Sequence, residues 1–178
     1  MPEELEVPTE HLSETIREHA EKERQTWILA VALSTAMLAV FAAITALLAG
    51  HHANEAMIEQ IRAADQWAYY QAKGIKLAVL ESKMELLVTL GKEGSGTDSA
   101  KAEEYKVQQK EIQEKALEKE ESSELHLRHH NTLAKSVTLF QIAIAVAAIS
   151  VLTRRKWMWL GSLMLGSAGL VVFVLGVI

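Results

Sequence analysis

Trp27 to Gly50 reads WILAVALSTAMLAVFAAITALLAG, 24 residues without one formal charge. At about 1.5 Å per residue a helix of that length covers roughly 36 Å, and the hydrocarbon core of a bilayer needs about 30 Å. The stretch therefore reads as a membrane span. It does not read as a cleaved leader. The 26 residues before it carry eight acidic and three basic side chains, the wrong charge for the start of a signal peptide. The block is also too long, and a cleavage after Ala49 would put Leu47 at a position reserved for small residues.

Working outward, two further stretches share its character. Residues 136–153 form an uncharged block of 18, which Thr132 to Lys135 can lengthen if the lysine snorkels to the membrane surface. Residues 157–178 form a third block. All 18 Lys/Arg and 23 Asp/Glu lie in 1–26, 51–135 and 154–156. Segregation of that kind excludes a soluble globular domain, and the absence of cysteine excludes a disulfide framework. With only two prolines and 6% aromatic residues, a β-barrel is also disfavoured. A net charge of −5 without an extended basic patch argues against a nucleic-acid partner.

The predicted architecture is all-α and integral to the membrane, with three transmembrane helices. Its parts are an acidic N-terminal segment (1–26), spans at 27–50, 136–153 and 157–178, a helical hairpin (51–135) and a basic turn (154–156). The turn sets the orientation. Arg154, Arg155 and Lys156 place three positive charges between two spans, the strongest available signal for the cytoplasmic side. Arg17, Lys22 and Arg24 before the first span agree. The 85-residue central region and the C-terminus then lie on the opposite side. The expected location is a bacterial inner membrane crossed several times, with the hairpin extracytoplasmic.

Within the central region no proline occurs from His52 to Leu90. An apolar stripe runs through Met57, Ile61, Ala64, Ala68, Ala72, Ile75, Val79, Leu86 and Leu90, mostly at spacings of three and four. That rhythm predicts a coiled-coil-like seam. Gly91, Gly94 and Gly96 interrupt it, giving a turn at about 91–99. Residues 100–131 resume a charged helix with a thinner stripe at Tyr105, Ile112, Ala116 and Leu127. A second face of the first arm holds Ala56, Ala63, Trp67, Tyr70, Gly74 and Ala78, with Leu77, Leu80, Met84 and Leu87 nearer the turn. One partner helix does not cover both faces, so Ala63, Trp67, Tyr70 and Gly74 are candidate contacts with another copy of the chain. In the third span Ser162, Gly166, Gly169 and Gly176 form a ridge of small residues. Thr35, Ala39, Ala42, Ala46 and Ala49 do the same in the first. Such ridges admit close helix packing, within one chain or between chains.

His51-His52-Ala53-Asn54-Glu55-Ala56 is followed by Asp65-Gln66-Trp67-Ala68-Tyr69-Tyr70-Gln71-Ala72-Lys73 and Ile75-Lys76. Pro8-Thr9-Glu10-His11 precedes these, and Leu152-Thr153-Arg154-Arg155 follows. In order and spacing this set resembles a bacterial family of small membrane proteins classed as a domain of unknown function, over nearly the whole chain. The resemblance implies a membrane-integral helical protein without an assigned activity. It supplies no catalytic residues.

No phosphate-binding glycine loop, dinucleotide fingerprint or cysteine pair occurs. No catalytic residue is predicted, and the spans carry no acidic side chain, which counts against a proton-coupled pump. Five of the seven histidines fall in two clusters, His51/His52 and His126/His129/His130, which an antiparallel hairpin would bring together. His126 and His130, four residues apart on one helix face, suit shared metal ligation. His51, His52, His126 and His130 are thus candidate ligands for a divalent metal, with Glu55 and Glu124 as oxygen donors. The plainer reading makes them interfacial side chains, and no other cofactor is expected. Asp65, Tyr69 and Lys73 form a polar ladder on the first arm. The expected function is a membrane-anchored structural or interaction protein that self-assembles, with membrane lipid as its other partner. The alternative is metal binding or sensing at the membrane surface. A third reading, an oligomeric channel, needs a pore lined by Gln141 or by the serines and threonines of the spans. No small-molecule ligand follows from the sequence.

The topology is directly testable. A reporter fused after Ser95 should be active only outside the cytoplasm, and one inserted at Arg155 only inside. Two reporters active on the same side would break the three-span architecture.

Overall fold

A computed structural model describes residues 9–92 and 96–178, and every regular element in them is helical. Helix α1 spans Thr9–Thr89, α2 spans Gly96–Thr153 and α3 spans Lys156–Val177. Residues 1–8 of the acidic segment, with part of the Pro8–His11 run, and 93–95 of the glycine-rich turn lie outside the described residues. Neither α1 near residue 50 nor α2 near residue 135 is interrupted. No proline stands at either place, and the lone Gly50 costs only about 1 kcal/mol relative to alanine. The turn is shorter than 91–99. Helix α2 already begins at Gly96, and Asp98 in its first turn faces the positive end of the helix dipole.

All three helices are long and apolar enough to cross a membrane. Within their most apolar windows only 11%, 28% and 22% of residues are buried by the rest of the chain. Most of that apolar surface is thus left uncovered by the chain itself.

The chain divides into two compact units. The first joins the residues up to Leu47 with Thr132–Ile178. In a bilayer, where lipid is as apolar as leucine, helices of this kind are held together by close packing and hydrogen bonding rather than by escape from water. The small residues supply the room. Ser162, Gly166, Gly169 and Gly176 are all buried on one side of α3. A Cβ at Gly166 would lie 2.6 Å from Leu38 Cδ2, and one at Gly169 would lie 3.0 Å from two ring carbons of Phe140. One at Gly176 would lie 2.9 Å from Leu133 Cδ2. The ridge thus packs within the chain. Phe140 is fully buried and its ring stacks on Phe41, centroids 6.2 Å apart. Ser136 Oγ donates across to the Gly169 carbonyl at 2.8 Å, and Trp159 Nε1 donates to Ser34 Oγ at 3.2 Å. On the part of α1 in this unit the buried positions are Val31 and Thr45, whereas Ala39 and Ala46 of the expected ridge are exposed.

The second unit, Leu48–Asn131, is an antiparallel helical hairpin. Its true seam is not the predicted one. On α1 the covered positions are Ala56, Glu59, Ala63, Gln66, Tyr70, Lys73, Leu77, Leu80, Met84 and Leu87, alternating steps of three and four without a fault. Met57, Ile61, Leu86 and Leu90 are left uncovered, with 56–63% of their surface exposed, and Ile75 and Val79, each 66% exposed, edge a groove shared with Asp98, Lys101 and Tyr105 of α2. The expected second face is therefore the one that closes the hairpin. The reason lies in residue type: Glu59, Gln66 and Lys73, seven residues apart along the first half of the seam, are polar, so counting apolar residues there selects the opposite side. On α2, Tyr105, Ile112 and Ala116 lie on the seam, and Leu127 is exposed.

Both helix–helix turns close by the same device. Gly91 N–H donates to the Val88 carbonyl and Lys92 N–H to Leu87; Arg154 N–H donates to Val151 and Arg155 N–H to Ser150. Each is a Schellman motif, which requires a left-handed residue at its centre. Gly91 has φ +68° and Arg154 has φ +55°. Glycine adopts that conformation freely, whereas a residue with a Cβ is strained by on the order of 1 kcal/mol.

Two glycines of α3 make a matched test of the packing. Gly169→Ala should destabilise the purified protein in detergent by about 1–3 kcal/mol, because its Cβ would press on the buried Phe140 ring and on Leu139 Cβ at 3.4 Å. Gly161→Ala, whose Cβ would meet nothing within 4 Å, should be neutral or slightly stabilising. Thermal or denaturant unfolding followed by circular dichroism reads both.

Candidate functional site

The hairpin's two arms bring their histidines together near residues 52 and 126. His52 Nδ1 and His126 Nδ1 are 3.0 Å apart, a hydrogen bond in which one ring donates and the other accepts. The acceptor ring is therefore neutral. On its other side the His52 ring stacks against His129, with centroids 5.0 Å apart and planes inclined by 19°. His51 is exposed, its ring 5.7 Å from that of His52. His130 turns away: its Nδ1 donates to the Ala49 carbonyl at 2.8 Å, an acceptor that α1 leaves available beside it. The four candidate ligands His51, His52, His126 and His130 accordingly do not converge on a point. Among the described residues no group of three or more His, Asp or Glu side chains is arranged to hold a metal. His129, which the i,i+4 argument passed over, is the ring that packs against His52.

Burial lowers the His52 pKa below its ordinary value of 6.5, and the neighbouring His129, His126 and His51 push it further down. Glu55 opposes them and does not prevail. His52 is therefore held in its neutral form, the form this crowded pairing needs.

Next along the seam stands a charge cluster that apolar patterning does not reveal. Glu59 is buried, and its carboxylate is held by Arg62 one turn on and by Lys119 of α2 at 3.2 Å. Burial alone would raise its pKa, but the hydrogen bonds from Lys119 and Arg62 outweigh that and lower it. Ser123 Oγ donates to the Ala56 carbonyl at 2.8 Å. Beyond this the fully buried Ala63 and Ala116 mark closely approached backbones.

Of the candidate interface residues on this arm, all four face α2 of their own chain. Ala63 is covered completely; Trp67 Nε1 donates to Glu120 at 2.8 Å; the Tyr70 carbonyl accepts from Gln109 Nε2 at 3.3 Å. A Cβ at Gly74 would lie 2.8 Å from that same Gln109 Nε2. Trp67 and Tyr70 meet edge to face, centroids 5.6 Å apart. The polar ladder is partly kept: Lys73 Nζ lies 5.4 Å from the Tyr69 ring centroid and 5.1 Å from that of Tyr105. In the spans, Ser162, Gly166 and Gly169 are likewise occupied by intrachain packing. Arg154, Arg155 and Lys156 are exposed at the turn between α2 and α3. What the hairpin leaves free is the stripe from Met57 to Leu90. An apolar pocket of about 210 Å³ beside Phe41, Phe140 and Gly166 is lined by no ionisable group.

A protein family described as Domain of unknown function (DUF4337) matches residues 27–178, all three apolar blocks and the whole hairpin. No curated protein and no solved structure matches the chain.

The histidine pairing predicts a pH dependence. A base whose pKa falls on folding binds fewer protons folded than unfolded, so its contribution to stability is intact above 6.5 and declines as pH falls below it. The hairpin's melting temperature should therefore drop between about pH 7 and pH 5.5, and His52→Phe should flatten that slope. The lowered Glu59 pKa acts the same way at more acid pH, below 4.5. A wild-type slope of zero between pH 7 and 5.5 would refute the neutral pairing.

Proposed function

The chain belongs to the family Domain of unknown function (DUF4337), which brings no activity with it, and we propose from its geometry that it is a membrane-anchored structural and interaction protein that self-assembles through its helical hairpin. One observation carries this reading. The first arm of the hairpin has two seams on opposite sides, and its own chain covers only one. Numbering the covered seam as the a and d positions of a heptad, Met57, Ile61, Ala64, Ala68, Ala72, Ile75, Val79 and Leu86 fall at b, c and f. Those are the outward positions that a two-helix coiled coil gives to charged residues. Here they are apolar, in a segment too rich in charge to lie in hydrocarbon.

The occupant that fits best is the same stripe on another copy. It repeats at steps of three and four, the spacing that interlocks with a helix of its own kind. Its flanks carry both signs of charge, among them Arg62, Lys76, Glu81 and Glu85, so two stripes can meet without net repulsion. Association of this kind adds apolar burial on the order of 1.5–3 kcal/mol per large side chain covered, which several residues together turn into a stable interface. The spans anchor the assembly; their small-residue ridge on α3 is already used within the chain, so the hairpin and not α3 carries the contact. We place the protein in a bacterial inner membrane, with the basic turn on the cytoplasmic side and the hairpin outside the cytoplasm, on the charge asymmetry of the loops.

Native mass spectrometry of the purified protein in mild detergent tests this. Met57→Glu with Ile61→Glu should lower the oligomer to monomers while helicity and melting of the monomer stay within experimental error. Trp67→Ala should instead loosen the hairpin itself, with a lower melting temperature. A wild type that is monomeric in detergent and in nanodiscs would overturn the reading.

A further inference from the structure

At the basic end of the first unit a cleft of about 450 Å³ opens between α1 and the α2–α3 turn. We propose that it is a binding site for the phosphate headgroup of an anionic phospholipid, a role independent of the assembly reading. Three cations rim it, Arg24 from α1 and Arg154 and Lys156 from the turn, against a single acid, Glu23. None of the three cations is engaged in an ion pair among the described residues. The wall below them is apolar: Trp27, Ile28, Val151 and Leu152. An apolar wall at the end of the spans under a cationic rim is shaped for an amphiphile, with acyl chains beside the former and phosphate among the latter.

Two further observations point to an acceptor-rich ligand. The Trp27 indole N–H is buried and has no hydrogen-bond partner among the described residues. A buried donor left without an acceptor is costly, and a phosphate oxygen in the cleft would satisfy it. Helix α3 starts at the same place; its N-cap, Arg155, makes no side-chain capping bond, and although Met158 N–H donates to the Arg155 carbonyl at 3.1 Å, no capping side chain takes the N–H groups of Lys156 and Trp157 before it. Arg154 itself is held at φ +55°, at the position of the turn where Gly91 stands in the other one. The turn geometry alone asks for glycine. A guanidinium kept there against the backbone preference is what a phosphate rim requires.

That strain supplies the test. Arg154→Gly removes the guanidinium and relaxes the turn, leaving Arg155 and Lys156 to hold the orientation. Trp27→Phe removes only the N–H. Full-length protein is placed in nanodiscs of phosphatidylcholine containing a minor fraction of phosphatidylglycerol, and lipids retained on release are counted by native mass spectrometry. The wild type should retain about one phosphatidylglycerol per chain, with a preference over phosphatidylcholine of about tenfold. Arg154→Gly should abolish most of that preference, with helicity unchanged and a melting temperature in pure phosphatidylcholine equal to or above wild type. Trp27→Phe should weaken the preference by several-fold at unaltered charge. A wild type that does not discriminate between the two lipids, or an Arg154→Gly variant that discriminates as well as wild type, overturns the proposal. So does displacement of the retained phosphatidylglycerol by inorganic phosphate at millimolar concentration, which would make the ligand a free anion.

Discussion

Helix backbones in this chain come closest where the side chains are smallest, and both units depend on that constraint. In the hairpin the approach is marked by Ala63 and Ala116, neither of which keeps any exposed surface. In the membrane unit it is set by Gly166, Gly169 and Gly176 against Leu38, Phe140 and Leu133. The currency differs. The hairpin arms gain by leaving water, whereas the spans gain only what interlocking atoms and a few hydrogen bonds provide, since lipid already solvates their apolar surface. A bulky ring such as Phe140 is then tolerated only because a residue without a side chain stands opposite.

Close approach leaves polar groups on the seam nowhere to go except to each other. Glu59 finds Arg62 and Lys119, Trp67 finds Glu120, Ser123 finds the Ala56 carbonyl, and His52 finds His126. Apart from Glu59–Arg62, which lies within α1, each of these pairs works in one alignment of the two arms and fails if either slides by a turn. An apolar seam of alanines and leucines would be indifferent to such a slip. Buried polar pairs add little net stability, so their contribution here is to fix the register.

The sequence was legible where a single property decided the outcome. Exclusion of charge marks the three spans, and the glycines at 91, 94 and 96 mark the turn, because nothing else competes with those signals. The choice of seam was not legible by the same means. Met57, Ile61, Ile75 and Val79 are more apolar than Glu59, Gln66 and Lys73, yet the latter face α2, because pairing across the hairpin satisfies them. Strict alternation of three and four, unbroken from Ala56 to Leu87 when polar residues are admitted, was the signal that could have found the seam. The histidines were half legible. Antiparallel arms make their proximity inevitable, but whether imidazoles pair, stack or converge depends on rotamers and on acceptors such as the Ala49 carbonyl, which sequence spacing does not encode. Arg154 was read only as a charge. Its left-handed backbone follows from how α2 ends, and no property of arginine announces it.

Hydroxyl groups in the spans carry a consequence of another kind. Ser34, Thr35, Thr45, Ser136, Thr138, Ser150, Thr153 and Ser167 all donate their proton to a backbone carbonyl, mostly three or four residues back on their own helix. Each oxygen then shows only lone pairs to whatever lies beside it, as an ether does. A permeation path lined by these groups would be a row of weak Lewis bases with no acid among them. Such a lining solvates a bare cation in part and gives an anion nothing to hold.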